Sequence, residues 1–542
     1  MTSAVVRLDM DRADLIFTSG GVHTVDAENR IGEALAVAGD RIVRVGSDAE
    51  VRALAGPGTR TIDLHGRSLL PGFIDAHCHF VWLGEAQDEI DCKAPGMGSI
   101  EAIVEAVRKR AASLPRGAWI RGRGYDQTRL HERRHPNRFD FDPASPDHPV
   151  LFMRTCGHIA AVNSQAMKLA GINDETPDPS AGRFDRHEGR LLGVAYEEAL
   201  APFKRVSARS AAETREALLA ANRAYLAAGA TSIHDAGFLT GPAMGVAQDL
   251  IGEDRLQVRL YAIAFVGLGS MQGLSYLDTG IKTGFGDDRL RLGAFKVVTD
   301  GSSSGPTAAT RQPYSSNPDD SGILYWSQAE LDGMIGRAHQ AGFQVTMHTL
   351  GDRAIEQGLN AIERALRETP RPDPRPRLEH CGICPPDLQA RVRDLGVTPA
   401  MQPAFFWEFG DGYLANYGPE RAATIFPVRS LTQMGVRVAG SSDAPVTDHR
   451  PLFGIEQAMT RATMAGQVCG AAERVDLTTA VRMHTINAAY ASFDEQRKGS
   501  IEPGKLADLV VLGEDLSHVP VREIRNVPVS MTVVGGQIAY EA

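Results

Sequence analysis

Between Leu70 and Ser492, apolar runs that read as strands alternate with longer amphipathic stretches that read as helices. This alternation restricts the fold more than any other feature. The strand candidates are Leu70–Asp75, Thr231–Asp235, Val258–Phe265, Leu290–Val298, Phe343–His348, Arg377–His380, Val397–Met401 and Val436–Ser441. They lack a clean two-residue alternation, as strands do when both faces of a sheet are covered. Helix candidates between several of them are Ala211–Ala228, Gln328–Ala341, Asp352–Glu368 and Pro386–Leu395, with Ile455–Ala465 and Thr478–Ser492 beyond. Such a repetition predicts a parallel α/β architecture, and eight strands fit a (β/α)8 barrel of the TIM type. The interval from Asp75 to Thr231 is far too long for a loop. An inserted subdomain after strand 1, over about residues 84–207, is therefore expected.

The two chain ends look alike. Ala13–Thr18, Ala34–Ala38 and Arg41–Val45 near the start, and Asp508–Leu512 and Val527–Val534 near the end, are short apolar or β-rich runs broken by glycine turns. They predict a small β-sandwich domain built from both termini, residues 1–69 and 493–542, around a barrel over 70–492. No internal repeat or low-complexity tract is present.

Composition narrows the partners. The 542 residues carry 57 Lys+Arg against 67 Asp+Glu, a formal charge of −10, with 43% apolar and 23% charged residues. A mildly acidic globular chain without a basic run argues against nucleic acid or an anionic membrane as main partner. No stretch reaches the roughly 18 apolar residues of a membrane span. The N-terminal MTSAVVRLDMDRADLIF has no apolar core of a secretory signal. Six cysteines are too few for a disulfide framework. A cytoplasmic protein is the expectation, and the oligomeric state, a homodimer included, stays open.

The chemistry gathers at strand ends. In Pro71-Gly72-Phe73-Ile74-Asp75-Ala76-His77-Cys78-His79, the residues His77 and His79 stand two apart on a strand and face the same side. Two imidazoles on one face suit a divalent metal, although two structural histidines would read the same way. His348 closes FQVTMH, His380 closes RLEH, and Asp443 follows VAGSS. Lys296 sits inside the apolar LGAFKVV. In a barrel such ends meet at the C-terminal face. A buried ammonium at Lys296 needs a partner. Asp300 could pair with it, or carbon dioxide could convert the amine into an anionic ligand, a step the residues alone do not show.

Other signals are weaker. Cys381-Gly382-Ile383-Cys384 lacks the second C-x-x-C or thioredoxin-like context of a zinc or redox motif. Gly301–Pro306 is glycine-rich but lacks the G-K-[ST] ending of a phosphate loop. Ser441-Ser442-Asp443 is not flanked by the glycines of a nucleophile elbow. Phe405-Phe406-Trp407 either lines a hydrophobic pocket or packs a loop.

Taken together, FIDAHCH, KVVTDGSSSG, VTMHTLGDRA, LEHCG and GSSDAPV resemble the metal-dependent amidohydrolase superfamily. More narrowly the chain is similar to amidohydrolase family 3 proteins of the N-substituted formamide deformylase type. MRTCGHIAAVNSQAM and GSIEPGKLADLVVL extend the likeness over nearly the whole length. The resemblance implies one or two divalent ions per chain, zinc first. His77 and His79 would hold the more buried ion and His348 and His380 the second. Lys296, as N6-carboxylysine, would bridge them, and Asp443 would bind metal and act as general acid and base. His158, in CGHIAAVN, would contact substrate or an oxyanion, or would be a structural histidine at a turn. The reaction implied is hydrolysis of an amide- or formamide-type C–N bond, with an apolar substituent on the substrate. Two rivals stand beside it. A superfamily deaminase would carry Glu three residues after the third metal histidine, where this chain has Gly351, and would lack a lysine such as Lys296. A non-catalytic regulatory or binding protein could use the same fold.

Overall fold

The computed structural model describes residues 12–93, 96–180, 182–237, 239, 241–267 and 270–542, so most of the N-terminal segment weighed above as a signal lies outside the described residues. Eight strands form one sheet in chain order: β1 (Phe73–Cys78), β2 (Ala230–Asp235), β3 (Arg259–Val266), β4 (Leu290–Val298), β5 (Val345–Thr349), β6 (Arg377–His380), β7 (Thr398–Met401) and β8 (Ala439–Gly440). Neighbours β1–β2, β2–β3 and β4 through β8 pair in parallel. The sheet curls back on itself. Asp443 N–H, just past β8, donates to His77 O at 2.8 Å, and Ser442 N–H donates to Asp75 Oδ1 at 3.0 Å. The result is a nearly closed TIM-type barrel, as the strand–helix repetition predicts.

Helices follow several strands. Gln328–Gln340 starts at Ser327, whose side chain and that of Glu330 cap each other's backbone N–H groups. Asp352–Glu368 buries Ile355, Leu359 and Ile362 on one stripe. The stretch Thr478–Ser492, expected as one helix, is two, Leu477–Met483 and Ile486–Ala491. Thr485, at φ −135 and ψ −101, breaks them apart.

The first strand candidate, Leu70–Asp75, also proves to be two elements. Ser68–Pro71 pairs antiparallel with Leu509–Leu512, and the barrel begins at Phe73. Gly72 is the crossing point. A Cβ there would lie 2.3 Å from Thr231 Cγ2, so the handover from one sheet to the other requires glycine.

Both termini build the remaining sheets of this unit. Ala13–Thr18, Ala34–Ala38, Arg41–Gly46 and Ala55–Asp63 form one sheet of four strands. Gly21–His23, Ile31–Gly32 and Ser68–Pro71 join Leu509–Leu512, Val529–Val534 and Gln537–Glu541 in a sheet of six. Leu15, Phe17, Val37, Leu69, Leu509, Val511 and Val533 share one buried apolar core. Early and late segments thus share one apolar core.

The chain divides into two compact units. One holds the residues up to Phe80 with Ala221–Phe265 and Gly273–Ala542, the other Val81–Ala220 with Val266–Gln272. Within the second, six strands between Ile90 and Glu197 form a mixed sheet, with Ile103, Val107, Phe141 and Phe152 in its core. Among the described residues no helix is long and apolar enough to cross a membrane. All six cysteines are unpaired.

Candidate metal centre

The expected strand ends converge. His77 is the fifth residue of β1, and His79 follows its last. Lys296 comes from β4, His348 from β5, His380 from β6 and Asp443 from the turn after β8. All six are at most 9% exposed. Asp443 Oδ1 lies 3.0 Å from His79 Nε2 and 3.3 Å from His77 Nε2. Lys296 Nζ is 3.5 Å from His77 Nε2 and 3.3 Å from Ala236 O. The His380 ring stands 4.9 Å from that of His77 and 4.5 Å from that of His348, centre to centre.

The backbone is bent to deliver these groups. His380 (φ 68), Cys381 (φ 50) and Asp443 (φ 57) adopt the left-handed region, which non-glycine residues seldom occupy.

The rings are held from behind. His77 Nδ1 meets Glu379 Oε2 at 2.5 Å, and His380 Nδ1 meets Gln402 Oε1 at 2.7 Å. Both partners are acceptors, so each Nδ1 carries a proton and each neutral ring turns an Nε2 lone pair to the centre. Gln402 is itself fixed, because its amide donates to Ala400 O and Ser441 Oγ at 2.9 and 2.8 Å. His348 Nε2 lies 3.2 Å from Gly301 O. Asp300 Oδ1 lies 3.6 Å from His348 Nε2. Its carboxylate accepts backbone N–H groups of Ala309, Leu350 and Gly351, tying the Gly301–Pro306 loop to the end of β5.

This donor set suits a divalent ion. His77, His79 and Asp443 each offer one ligand atom, all within 4.8 Å of one another. Two ligands about 2.0–2.1 Å from one tetrahedral ion stand roughly 3.3 Å apart. Asp443 Oδ1 is buried and makes no well-aligned hydrogen bond. Something positive has to sit between it and the imidazoles, a proton or a metal ion. The approach of both rings to the same oxygen favours the ion.

The electrostatics agree for Asp443, His79 and His380. Burial works against ionised Asp443, but His77 and His79 outweigh it and hold the carboxyl well below its usual range. Burial lowers His380 to about 3. Burial lowers His79 despite Asp443. Neutral imidazole is the form that binds metal. His77 moves the other way. Burial and Lys296 push it down, but Glu379 and Asp443 prevail. Burial also lowers the Lys296 amine, against the pull of Glu379 and Asp443.

The remaining candidates have other partners or flank the centre. His158 belongs to the second compact unit, where its Nδ1 lies 2.8 Å from Glu197 Oε2. Phe405 stacks on the His380 ring at 5.9 Å. Phe406 instead lies under the buried Arg461 guanidinium, and Trp407 under Arg525. Cys381 and Cys384 are both buried. Glu379, Gln402 and Arg377 had no part in the sequence-based site, and Asp300 entered it only as a partner for Lys296. Glu379 and Arg377 carried a signal in RLEH, charged residues two apart on an inward-facing strand.

Comparison with known proteins gives the family. A profile of the amidohydrolase family matches residues 60–540. The N-substituted formamide deformylase of Arthrobacter pascens is 32% identical over 97% of this chain and 98% of its own length. The putative amidohydrolase YtcJ of Bacillus subtilis (strain 168) is 29% identical over 97% and 99%. An uncharacterized metal-dependent hydrolase from Pyrococcus furiosus superposes with a TM-score of 0.74 at 26% identity, covering 92% of this chain and 99% of that one. The chain belongs to the amidohydrolase family. It is a metal-dependent hydrolase of carbon–nitrogen bonds, acting on a small molecule with a divalent metal ion as cofactor.

Proposed function

We propose that the enzyme hydrolyses an amide- or formamide-type bond at this centre, with Asp443 as general base and then general acid. The observation that carries the reading is the placement of Asp443 Oδ1, buried and within 3.3 Å of both His77 Nε2 and His79 Nε2. His77, His79 and Asp443 would hold one ion, and His348 and His380 a second, with zinc the first expectation. When bound, such an ion supplies a lowered pKa of water and polarisation of a carbonyl. Asp443 takes the proton of the attacking water and passes it to the departing nitrogen, which leaves as an amine. The Lys296 amine, desolvated and 3.5 Å from His77 Nε2, would react with carbon dioxide, losing one proton, to give a carboxylate that would serve as a shared metal ligand. Phe405, stacked on His380, supports an apolar group on the substrate. His158 is assigned a substrate contact. We assign the enzyme to the cytoplasm on its unpaired cysteines, and leave a homodimer to be measured.

The test is metal analysis of the purified protein together with a panel of N-formyl, N-acyl, lactam and ester substrates. One or two ions per chain, activity lost on chelation, and amine released from an N-substituted formamide or amide are expected. Protein that takes up no divalent ion, or that turns over none of the panel when loaded, would refute the proposal.

A further inference from the structure

Behind His77 lies an ion pair that the proposed chemistry does not use. Arg377 and Glu379 stand two residues apart on β6, on the same face, and neither side chain is exposed at all. The guanidinium grips both carboxylate oxygens, with Nε 2.9 Å from Oε1 and Nη2 3.0 Å from Oε2. Nη2 also donates to Ala76 O at 2.8 Å, one residue before His77, and Nη1 lies 3.1 Å from His234 Nδ1. Thr346 Oγ1 donates to Oε1 at 2.6 Å, and Oε2 meets His77 Nδ1. Every polar edge of the carboxylate is engaged, and its one outlet toward the centre is the His77 ring.

We propose that Arg377 is a positioning residue of the metal centre, which through Glu379 and Ala76 O fixes the orientation and the Nδ1–H tautomer of His77 so that Nε2 faces the ion. The inference rests on the reading of His77 as a ligand. Buried ion pairs add little net stability over apolar side chains of similar volume, so the role of this one is read from what it holds. Only a planar fork engages two carboxylate oxygens and a carbonyl together, and a lysine in its place would keep the charge but lose the geometry. Glu379→Gln has a defined effect. If its amide nitrogen turns to His77, Nδ1 must accept, the proton moves to Nε2, and the lone pair toward the ion is gone.

The test follows release of Zn2+ from the loaded enzyme into excess chelator. Partners behind a metal-bound histidine typically change metal affinity about 10–100-fold. Release from Arg377→Met and Glu379→Gln is expected to be faster by that factor, with Arg377→Lys recovering part of the loss. The Co2+-loaded Arg377→Met protein should show a shifted visible absorption, which a loss of fold stability alone would not produce. Wild-type release and an unchanged Co2+ spectrum in Arg377→Met overturn the proposal. Thr346→Val removes one hydrogen bond to the same carboxylate and almost no volume, and so serves if Arg377→Met does not fold. Several-fold faster release from it supports the proposal, and unchanged release refutes it. His77→Ala separates the two readings. If it binds Zn2+ as the wild type does, the ligand assignment itself has failed, whatever Arg377 does.

Discussion

Asp443→Asn isolates the proton-handling group with the least disturbance of its surroundings. The residue sits at φ 57, and Asn tolerates the left-handed region as Asp does, so the backbone has no reason to move. Its N–H keeps the 2.8 Å bond to His77 O, which joins the last barrel strand to the first. The change is one of chemistry: an amide at this position cannot take up a proton near neutral pH. A positioned general acid–base group contributes about 10²–10⁴-fold, equivalent to roughly 3–5 kcal/mol of barrier. We therefore expect kcat to fall by that factor at saturating metal. His77 and His79 remain, so elemental analysis should still find metal. The wild-type kcat should also decline at acid pH as the carboxylate protonates, and this limb should be absent in the variant. The assay is steady-state kinetics on the best substrate of the panel, with metal content measured on the same samples. A fully metallated Asp443→Asn enzyme within about threefold of wild-type kcat, far inside the range a general acid–base group should span, would refute the assignment.

Metal loading should depend on carbon dioxide if Lys296 bridges two ions. Apoprotein reconstituted in carbon-dioxide-free buffer should take up less metal than in bicarbonate, and Lys296→Met should take up the same amount in both. Gly351→Ala should destabilise the barrel, because its Cβ would lie 1.8 Å from Ala309 O, a backbone atom of the loop that Asp300 ties down. Overpacking of this kind costs about 1–3 kcal/mol, and an unchanged melting temperature would contradict it. Burial raises the Glu85 carboxyl from 4.5 to about 7, partly offset by Arg209. The unfolded chain releases this proton first, so stability falls as pH rises from about 4.5 to 7. Glu85→Gln should thus gain roughly 2 kcal/mol over wild type at pH 8 and little near pH 4, discounted for the partly exposed side chain. Equal gains at both pH values, read from thermal melts, would show that ionisation is not the cause.

The barrel was legible because its strands are apolar runs covered on both faces, and because the polar exceptions fall at their ends. His348 and His380 stand out in VTMHT and RLEH for that reason. Boundaries were less legible where one apolar run serves two sheets. Nothing local in Leu70–Asp75 separates Ser68–Pro71, paired with Leu509–Leu512, from the barrel strand that follows. The break shows only in the Gly72–Thr231 contact, which needs the neighbouring strand. The six inward groups could be listed from spacing, but the groups that orient them could not. Glu379 lies 302 residues from His77, and Gln402, just past the adjacent strand, lies 22 residues from His380. A strand pattern predicts that such residues point inward, but which of them touch depends on the register set when the sheet closes. A charged pair such as Arg377 and Glu379 inside a barrel is therefore the kind of feature a sequence displays without explaining. Its meaning comes from the hydrogen bonds it makes to the first barrel strand, to the ring of His77 and to Ala76 O.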